Sequence, residues 1–336
     1  MTVYAQRRKR LLSLARGKQV VTMTAANTFW LTDFWGGGAA IVLPDKTVVV
    51  TSPLEADRAE EEGEEVEVVV VKGWKDIPSA LMKRFQGRQV VTDDDSLLRD
   101  SSRFTADPSL FHRGRRVKDE TEVERIRKAS QGLDRIFEAM PRELRVGRTE
   151  WEVAAEVMKM ATAFGLTPSG SDSALSPVIV ASGENGSLPH SELTRRRLKV
   201  GDTVVVDIFF RFEGYNSDST RTFPIGTPNA EMRRNYSVVR EAQEEALELA
   251  TSGSVCSDMN EAAVSVLRKK GLDKFLNHSV GHGVGIDIHE LPSISKSKRQ
   301  RCWKMTSSPT SLEFTFPGST GLESKTPWWS AGAPNH

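Results

Sequence analysis

With 336 residues, 38% of them apolar and 27% charged, the chain is long enough for two domains with a sizeable core, which excludes wholesale disorder. A formal net charge of +1 excludes nucleic-acid binding driven by bulk charge, leaving room only for a local patch. The two cysteines, Cys256 and Cys302, stand in neither metal-ligand nor disulfide-framework spacing and point to free thiols in a reducing compartment. The basic N-terminus, MTVYAQRRKRLLSLARGKQ, has in LLSLA too short an apolar core for a signal peptide, and no run approaches the ~20 apolar residues that span a bilayer. A cytoplasmic protein without a nucleic-acid or membrane partner is expected.

Over residues 1–115, KQVVTM, AAIVL, TVVVTS, EVEVVVV and RQVVTD are β-rich runs, the second and third joined by the turn PDK. WKDIPSALMKRFQG reads as a helix ending at Gly87. Five short strands with helices between them predict a small α/β domain. Residues 116–140 predict a linking helix capped by Asp119, with Val123, Ile126, Leu133, Ile136, Phe137 and Met140 at helical spacing. A second helix opens at a capping box, Thr149 with Glu152, and ends at Gly165. SPVIVASG and DTVVVDIFFRFEGYNSDSTRTFPIG predict strands, and a long helix follows over about 229–251. TEWEVAAEVMKMATAFGL (149–166) and SDMNEAAVSVLRKKGL (257–272) share a hydroxyl N-cap, an Ala-Ala pair five residues on and a Gly-Leu exit. The offset, 257 − 149 = 108 residues, carries Ala154 and Ala155 onto Ala262 and Ala263. Chance likeness of two amphipathic helices explains this as well as a duplicated helix-and-sheet half with a site between the halves.

Asp207 sits deep in the apolar run VVVDIFFRF, where a carboxylate is costly unless paired or bound to a metal. A hairpin turning at Gly214 and Asn216 can set Asp218 beside it, and a divalent cation between them would remove their repulsion. Taken alone, the two could also be an ion-pair partner and an ordinary turn aspartate, the lesser reading. They are not alone. HSVGHGVGIDIHE places His278, His282 and His289 within twelve positions of a chain with six histidines, among glycines that allow close backbone approach, and NGSLPH adds His190. Imidazole with carboxylate suits zinc, manganese, iron or cobalt, and a carboxylate-rich set leans to the harder end.

These stretches, with NTFWLTDF (27–34) and RRVKDETEVERIRKA (115–129), resemble the creatinase/prolidase (pita-bread) metallopeptidase family, specifically Xaa-Pro aminopeptidase and Xaa-Pro dipeptidase, over residues ~20–293. The resemblance implies an α/β (α+β) fold: an N-terminal creatinase/prolidase-like domain over 1–115, then a pita-bread domain with pseudo-twofold symmetry over 116–293. It implies two divalent metal ions (Mn, Co or Zn), with Asp207, Asp218 and His282 as ligands and Asp218 bridging. His190, His278 and His289 would bind substrate and stabilise the tetrahedral intermediate. Arg221 would orient Asp218 or serve the domain interior. The implied activity is cleavage of Xaa-Pro bonds in short proline-containing peptides by a metal-activated hydroxide, in a homodimer. A catalytically inactive pita-bread protein that binds peptides or partners is the alternative. Methionine aminopeptidase or creatinase-like activity is a third, and the N-terminal domain counts against the first of these.

The family completes its site with glutamates in E-P-G and R-x-E-D strands, and residues 294–336 contain neither motif. Glu313 and Glu323 lack the expected context and read as solvated. An aberrant, irregular tail that leaves a sheet edge exposed is therefore expected, with one metal bound or the second held weakly. Reading each codon's third base with the next codon's first two, Thr310–Gly318 can encode E-P-G-I-Y-I-P-G and Leu322–Ser330 can encode R-(I/V)-E-D-T-V-V-V. The tail is thus read as a frameshifted version of the family's last strands, broken between about 293 and 301. The DNA over those codons decides this.

Overall fold

A computed structural model describes residues 1–85, 89–100, 103–169, 176–188, 191–276, 278–296 and 311–312. The chain divides into two compact units, Met1–Arg116 and Val117–His336. Among the described residues no helix is long and apolar enough to cross a membrane.

In the first unit the helices are α1 (Val3–Leu14), α2 (Ala25–Thr32), α3 (Pro53–Glu62), α4 (Ile77–Arg84) and α5 (Pro108–Arg115). They accompany a mixed six-stranded sheet of β1 (Gln19–Thr22), β2 (Ala39–Val42), β3 (Thr47–Thr51), β4 (Val66–Val70), β5 (Val90–Thr92) and β6 (Phe104–Ala106), in the order β4-β3-β2-β1-β5-β6. The five expected strands all form, because each valine-rich run suits a pleated, buried surface. The sixth, Phe-Thr-Ala, is too short to show a pattern. The expected helix over 74–87 is a 3₁₀ turn at Trp74–Asp76 followed by α4, whose Ile77 and Leu81 are buried against Val21, Ile41 and Val90; Gly87 lies outside the described residues. Helix α1 carries no apolar stripe to read, since its buried face includes Arg7 and Arg8. Arg7 Nη1 donates to the Trp30 carbonyl at 2.8 Å, and Arg8 is ion-paired with Glu65.

In the second unit a pair of helices, α6 (Glu120–Glu143) and α7 (Glu150–Ala163), precedes β7 (Thr167–Pro168), β8 (Val178–Ser182), β9 (Thr203–Phe212) and β10 (Tyr215–Pro224). A second pair, α8 (Ala230–Glu248) and α9 (Cys256–Lys269), precedes β11 (Gly281–Gly283), β12 (Glu290–Ile294) and β13 (Ser311–Leu312). Both arms of the capping boxes Asp119/Glu122 and Thr149/Glu152 are made. The helix echo is real at its exits. Gly165 and Gly271 both take positive φ, and Leu166 and Leu272 both donate their N–H to the carbonyl five residues back. These exits lie 271 − 165 = 106 residues apart, as do the helix starts Glu150 and Cys256, so the two 14-residue helices correspond at an offset of 106 and not at the 108 that aligns their alanine pairs. The expected hydroxyl cap of the second helix is not made: α9 begins at Cys256 behind Val255, and Ser257 falls in its first turn.

Strand β9 pairs antiparallel with β10 on one side and with β7 and β8 on the other. Its side chains alternate between two environments. Val204, Val206, Ile208 and Phe210 join Val178 and Val180 in a core with Leu133, Ile136 and Met140 of α6 and Val153, Val157 and Ala161 of α7. Val205 packs instead with Ile179 and Ala181 on the opposite face. A separate core joins Val238 and Ala242 of α8, Met259 and Ala263 of α9, Val280 and Ile294. Cys256 is buried there and in no disulfide, and Cys302 lies outside the described residues.

Most of the expected irregular tail, with Glu313 and Glu323, lies outside the described residues. Ser311–Leu312 form β13, antiparallel to β11 with Ser311 opposite His282, so β11 has β12 on one side and β13 on the other rather than an open edge. Backbone pairing makes little demand on side-chain identity, which is why this sequence can occupy that position.

Candidate metal centre

The two aspartates reach one face through the register of the β9–β10 hairpin. Asp207 is opposite Thr220 and Asp218 opposite Phe209, so Asp207 and Asp218 are diagonal neighbours on the face that carries Val205, away from α6 and α7. Both are buried. Asp207 Oδ1 accepts from the Thr220 hydroxyl at 2.5 Å. The hairpin turns at Glu213 and Gly214, both at positive φ, and not at Asn216 as the sequence suggested. That two-residue turn has the φ signs that match strand twist. Asn216 belongs to β10, where its N–H and Nδ2 both donate to the Gly285 carbonyl (2.7 and 3.2 Å) and Nδ2 also donates to that of Ile286 (2.6 Å). It thus pins the loop after β11 to the strand that carries Asp218.

Strand β11 and the segments on either side of it carry three of the histidines. His282, on β11, is buried with Nε2 3.5 Å from Asp218 Oδ2. Its Nδ1 lies 3.0 Å from the Gly283 carbonyl oxygen, which can only accept, so Nδ1 carries a proton and Nε2 is turned to the carboxylate. This is the arrangement in which an imidazole ligates a cation while a backbone carbonyl fixes its tautomer. The exposed His289 ring lies 4.3 Å from that of His282, tilted by 59°. His278 is half-buried, with Nδ1 2.8 Å from the Ser279 carbonyl oxygen, and His190 lies outside the described residues. The glycines here are required by close approach. A Cβ on Gly283 would stand 2.6 Å from the Leu291 carbonyl oxygen, and one on Gly285 would stand 2.6 Å from the Glu290 carboxylate.

Arg221 takes the second of its two expected roles. It faces α6, over the Phe137 ring at 5.0 Å, with Nη1 donating to the Thr220 carbonyl, on the side of the sheet away from Asp218. Burial pushes its guanidinium below its usual range and pushes the nearby Asp134 carboxyl up, although the Arg221 charge pulls Asp134 the other way.

Two buried carboxylates escaped the sequence reading because charged residues in a helix start or a loop look solvated. Glu122 Oε1 accepts from the Tyr215 hydroxyl at 3.1 Å, tying α6 to the hairpin end. Glu150 is fully buried at the start of α7. Its Oε1 accepts from Ser182 N (2.8 Å), Ser182 Oγ (2.6 Å) and Asn185 Nδ2 (3.0 Å), and its Oε2 from Thr194 N (3.0 Å) and Thr194 Oγ1 (2.6 Å). Next to it, Arg196 forks onto both oxygens of Asp202 (2.6 and 2.8 Å), which also accepts from Lys199 N at 2.8 Å.

Burial raises the Asp202 carboxyl, but the hydrogen bonds from Arg196 and Lys199 and the Arg196 charge outweigh it and hold the group below the usual carboxylate range. A depressed folded value stabilises the fold above the unfolded pKa of ~3.9 and loses that stability as pH falls through the folded value. Asp202→Asn is therefore expected to cost about 1.5–3 kcal/mol at pH 7, and less below pH ~4. Urea melts of parent and variant at pH 7 and pH 3 check this; an equal cost at both would contradict it.

Among the described residues no three His, Cys, Asp or Glu side chains are grouped closely enough to hold a metal ion. The pair Asp218 and His282 nevertheless fits a cation, because its imidazole tautomer and facing carboxylate are those a metal uses.

The sequence pattern of metallopeptidase family M24 matches residues 124–310, and that of the creatinase/prolidase N-terminal domain matches residues 7–104. The probable dipeptidase PepE of Mycobacterium tuberculosis is 40% identical over 186 residues, 55% of this chain and 48% of PepE, so the chain matches about half of that relative's length. The Xaa-Pro dipeptidase of Pyrococcus furiosus is 33% identical over 270 residues, 78% of this chain and 75% of the relative. The solved structure of prolidase from Pyrococcus furiosus superposes with a TM-score of 0.81 at 27% identity, covering 94% of each chain. The fold is thus an α/β N-terminal domain with a pita-bread-type catalytic domain, and the chain belongs to metallopeptidase family M24.

Proposed function

We propose that the chain derives from a metal-dependent dipeptidase or aminopeptidase that cleaves Xaa-Pro bonds in short proline-containing peptides. The observation that carries this is the buried Asp218–His282 approach of 3.5 Å, on the sheet face that also bears Asp207. In this reading Asp207, Asp218 and His282 would hold divalent cations (Mn, Co or Zn), with Asp218 as the ligand that would serve both. Such cations, when bound, polarise a carbonyl and bring the pKa of water near neutrality. His289, exposed against His282, would meet the substrate and hold or pass a proton there. His190 and His278 would act on substrate beside it. His289→Ala is accordingly expected to keep cobalt affinity while losing about 10²–10³-fold in rate. Stoichiometric loss of metal would instead make His289 a ligand.

The second reading, a catalytically inactive pita-bread protein, is favoured by one observation: residues 294–336 carry neither an E-P-G nor an R-x-E-D stretch. Two aspartates supply two negative charges against four positive ones on two cations. One cation is then expected to bind, with the second weak and turnover very low. Hydrolysis of Xaa-Pro dipeptides with added Mn²⁺, Co²⁺ or Zn²⁺ tests both readings, run on this chain and on a version with the tail frame restored. Activity only after restoration supports the peptidase reading together with the frameshift. No turnover by either chain would overturn the peptidase reading, and two tight cation sites in this chain would overturn the charge argument.

A further inference from the structure

We propose that Lys118 and Glu290 are a positioning pair that sets where His282 and His289 stand relative to Asp218. The proposal rests on the metal reading for its consequence but on separate residues for its geometry. Lys118 immediately precedes the Asp119 cap of α6, and Glu290 immediately follows His289. Lys118 Nζ donates to Glu290 Oε2 at 2.9 Å, with the two side chains 1% and 3% exposed. A lysine and a glutamate this deeply buried are held at a desolvation cost, and replacing such a pair with apolar residues is often neutral or stabilising. Stability alone therefore does not account for the pair.

The surroundings supply a role. The second carboxylate oxygen, Oε1, accepts the Asp287 N–H at 3.1 Å, so Glu290 closes the loop 284–289 from within. The carboxylate lies where a Gly285 side chain would begin, and the same Gly285 offers its carbonyl to Asn216 of β10. The loop is thereby held at both ends, by Lys118 through Glu290 and by the strand of Asp218 through Asn216. The strand pairing is irregular between His282 and Gly283, so the β-ladder alone does not set where the loop goes. Lys118 and Glu290 act on the histidines through the loop backbone.

The test compares Lys118→Met, Glu290→Gln and the double variant Lys118→Met/Glu290→Met with the parent chain. Long-range ¹H–¹⁵N spectra of the histidine rings are read without metal, Co²⁺ binding by calorimetry, and stability by urea melts. Both single variants are expected to shift the His282 ring nitrogens and to weaken Co²⁺ binding by about 10–100-fold. In the double variant stability recovers while the ring shifts and weak binding persist. Recovery of all three together would mean the pair serves stability alone. Unchanged ring signals with affinity within twofold of the parent in either folded single variant would also overturn the proposal. If Lys118→Met does not fold, Glu290→Gln, which keeps the side-chain volume, carries the same reading. A parent that binds no Co²⁺ would sink the metal reading, and the ring spectra would still decide the positioning role.

Discussion

Asp218→Ala is expected to abolish peptidase turnover in a frame-restored chain and to weaken Co²⁺ binding to the present chain by more than the about 10–100-fold typical of residues that only orient ligands. Asp218 is buried, lies diagonal to Asp207 and faces His282 Nε2 at 3.5 Å. Alanine leaves the imidazole facing a void, and water cannot restore the lost charge. Asp218→Asn keeps the shape and removes only the charge, so it separates the two contributions. Wild-type turnover of Asp218→Ala at saturating metal would show that the proposed shared ligand lies elsewhere.

The largest stability loss is expected at Glu150. Replacing it with alanine strips the acceptor from the backbone N–H groups of Ser182 and Thr194, which cannot rotate away, and from two hydroxyls and the Asn185 amide. A buried donor left unsatisfied costs about 1–3 kcal/mol, so a total of about 3–5 kcal/mol is expected, in the range where single substitutions become exceptional. Glu150→Gln should also destabilise, because its amide must present a donor to other donors on one side. Urea melts with unchanged slope measure both. A cost under ~1 kcal/mol for Glu150→Ala would mean that water replaces the carboxylate with little loss.

Where the chemistry of a residue matches its local element, the sequence was sufficient. The valine runs of the N-terminal sheet, the Asp119 cap of α6 and the capping box of α7 are local signals, and each forms where expected. Asn216 was misread because an asparagine next to Gly214 has the composition of a turn, whereas its amide is used across the fold, on Gly285 and Ile286. Ser257 was misread in the same way, as a cap, although it is the second residue of a helix that starts without a side-chain cap. Helix α1 was hidden by arginines that are buried only because Trp30 and Glu65 meet them. Asp207, Asp218 and His282 were visible by motif as candidates, and of these Asp218 and His282 meet at 3.5 Å. Lys118, Glu122, Glu150 and Glu290 were not visible, since burial of a charge is decided by partners 32 to 172 positions away.

The turn at Glu213 and Gly214 has a consequence for how this chain can vary. Surface turns ordinarily accept insertions and deletions. Here the two residues set which side chains of β10 oppose which of β9, and the period of a strand is two. Adding or removing one residue and re-pairing β10 would send Asp218 and Thr220 to the face that holds Ser217, Ser219 and Arg221, toward Phe137 and the packed helices, and would put Ser217 or Ser219 where Asp218 now meets His282. An alteration at the periphery would thus exchange a carboxylate for a serine hydroxyl at the centre without touching any residue there. This exposed loop should accordingly drift in composition but not in length.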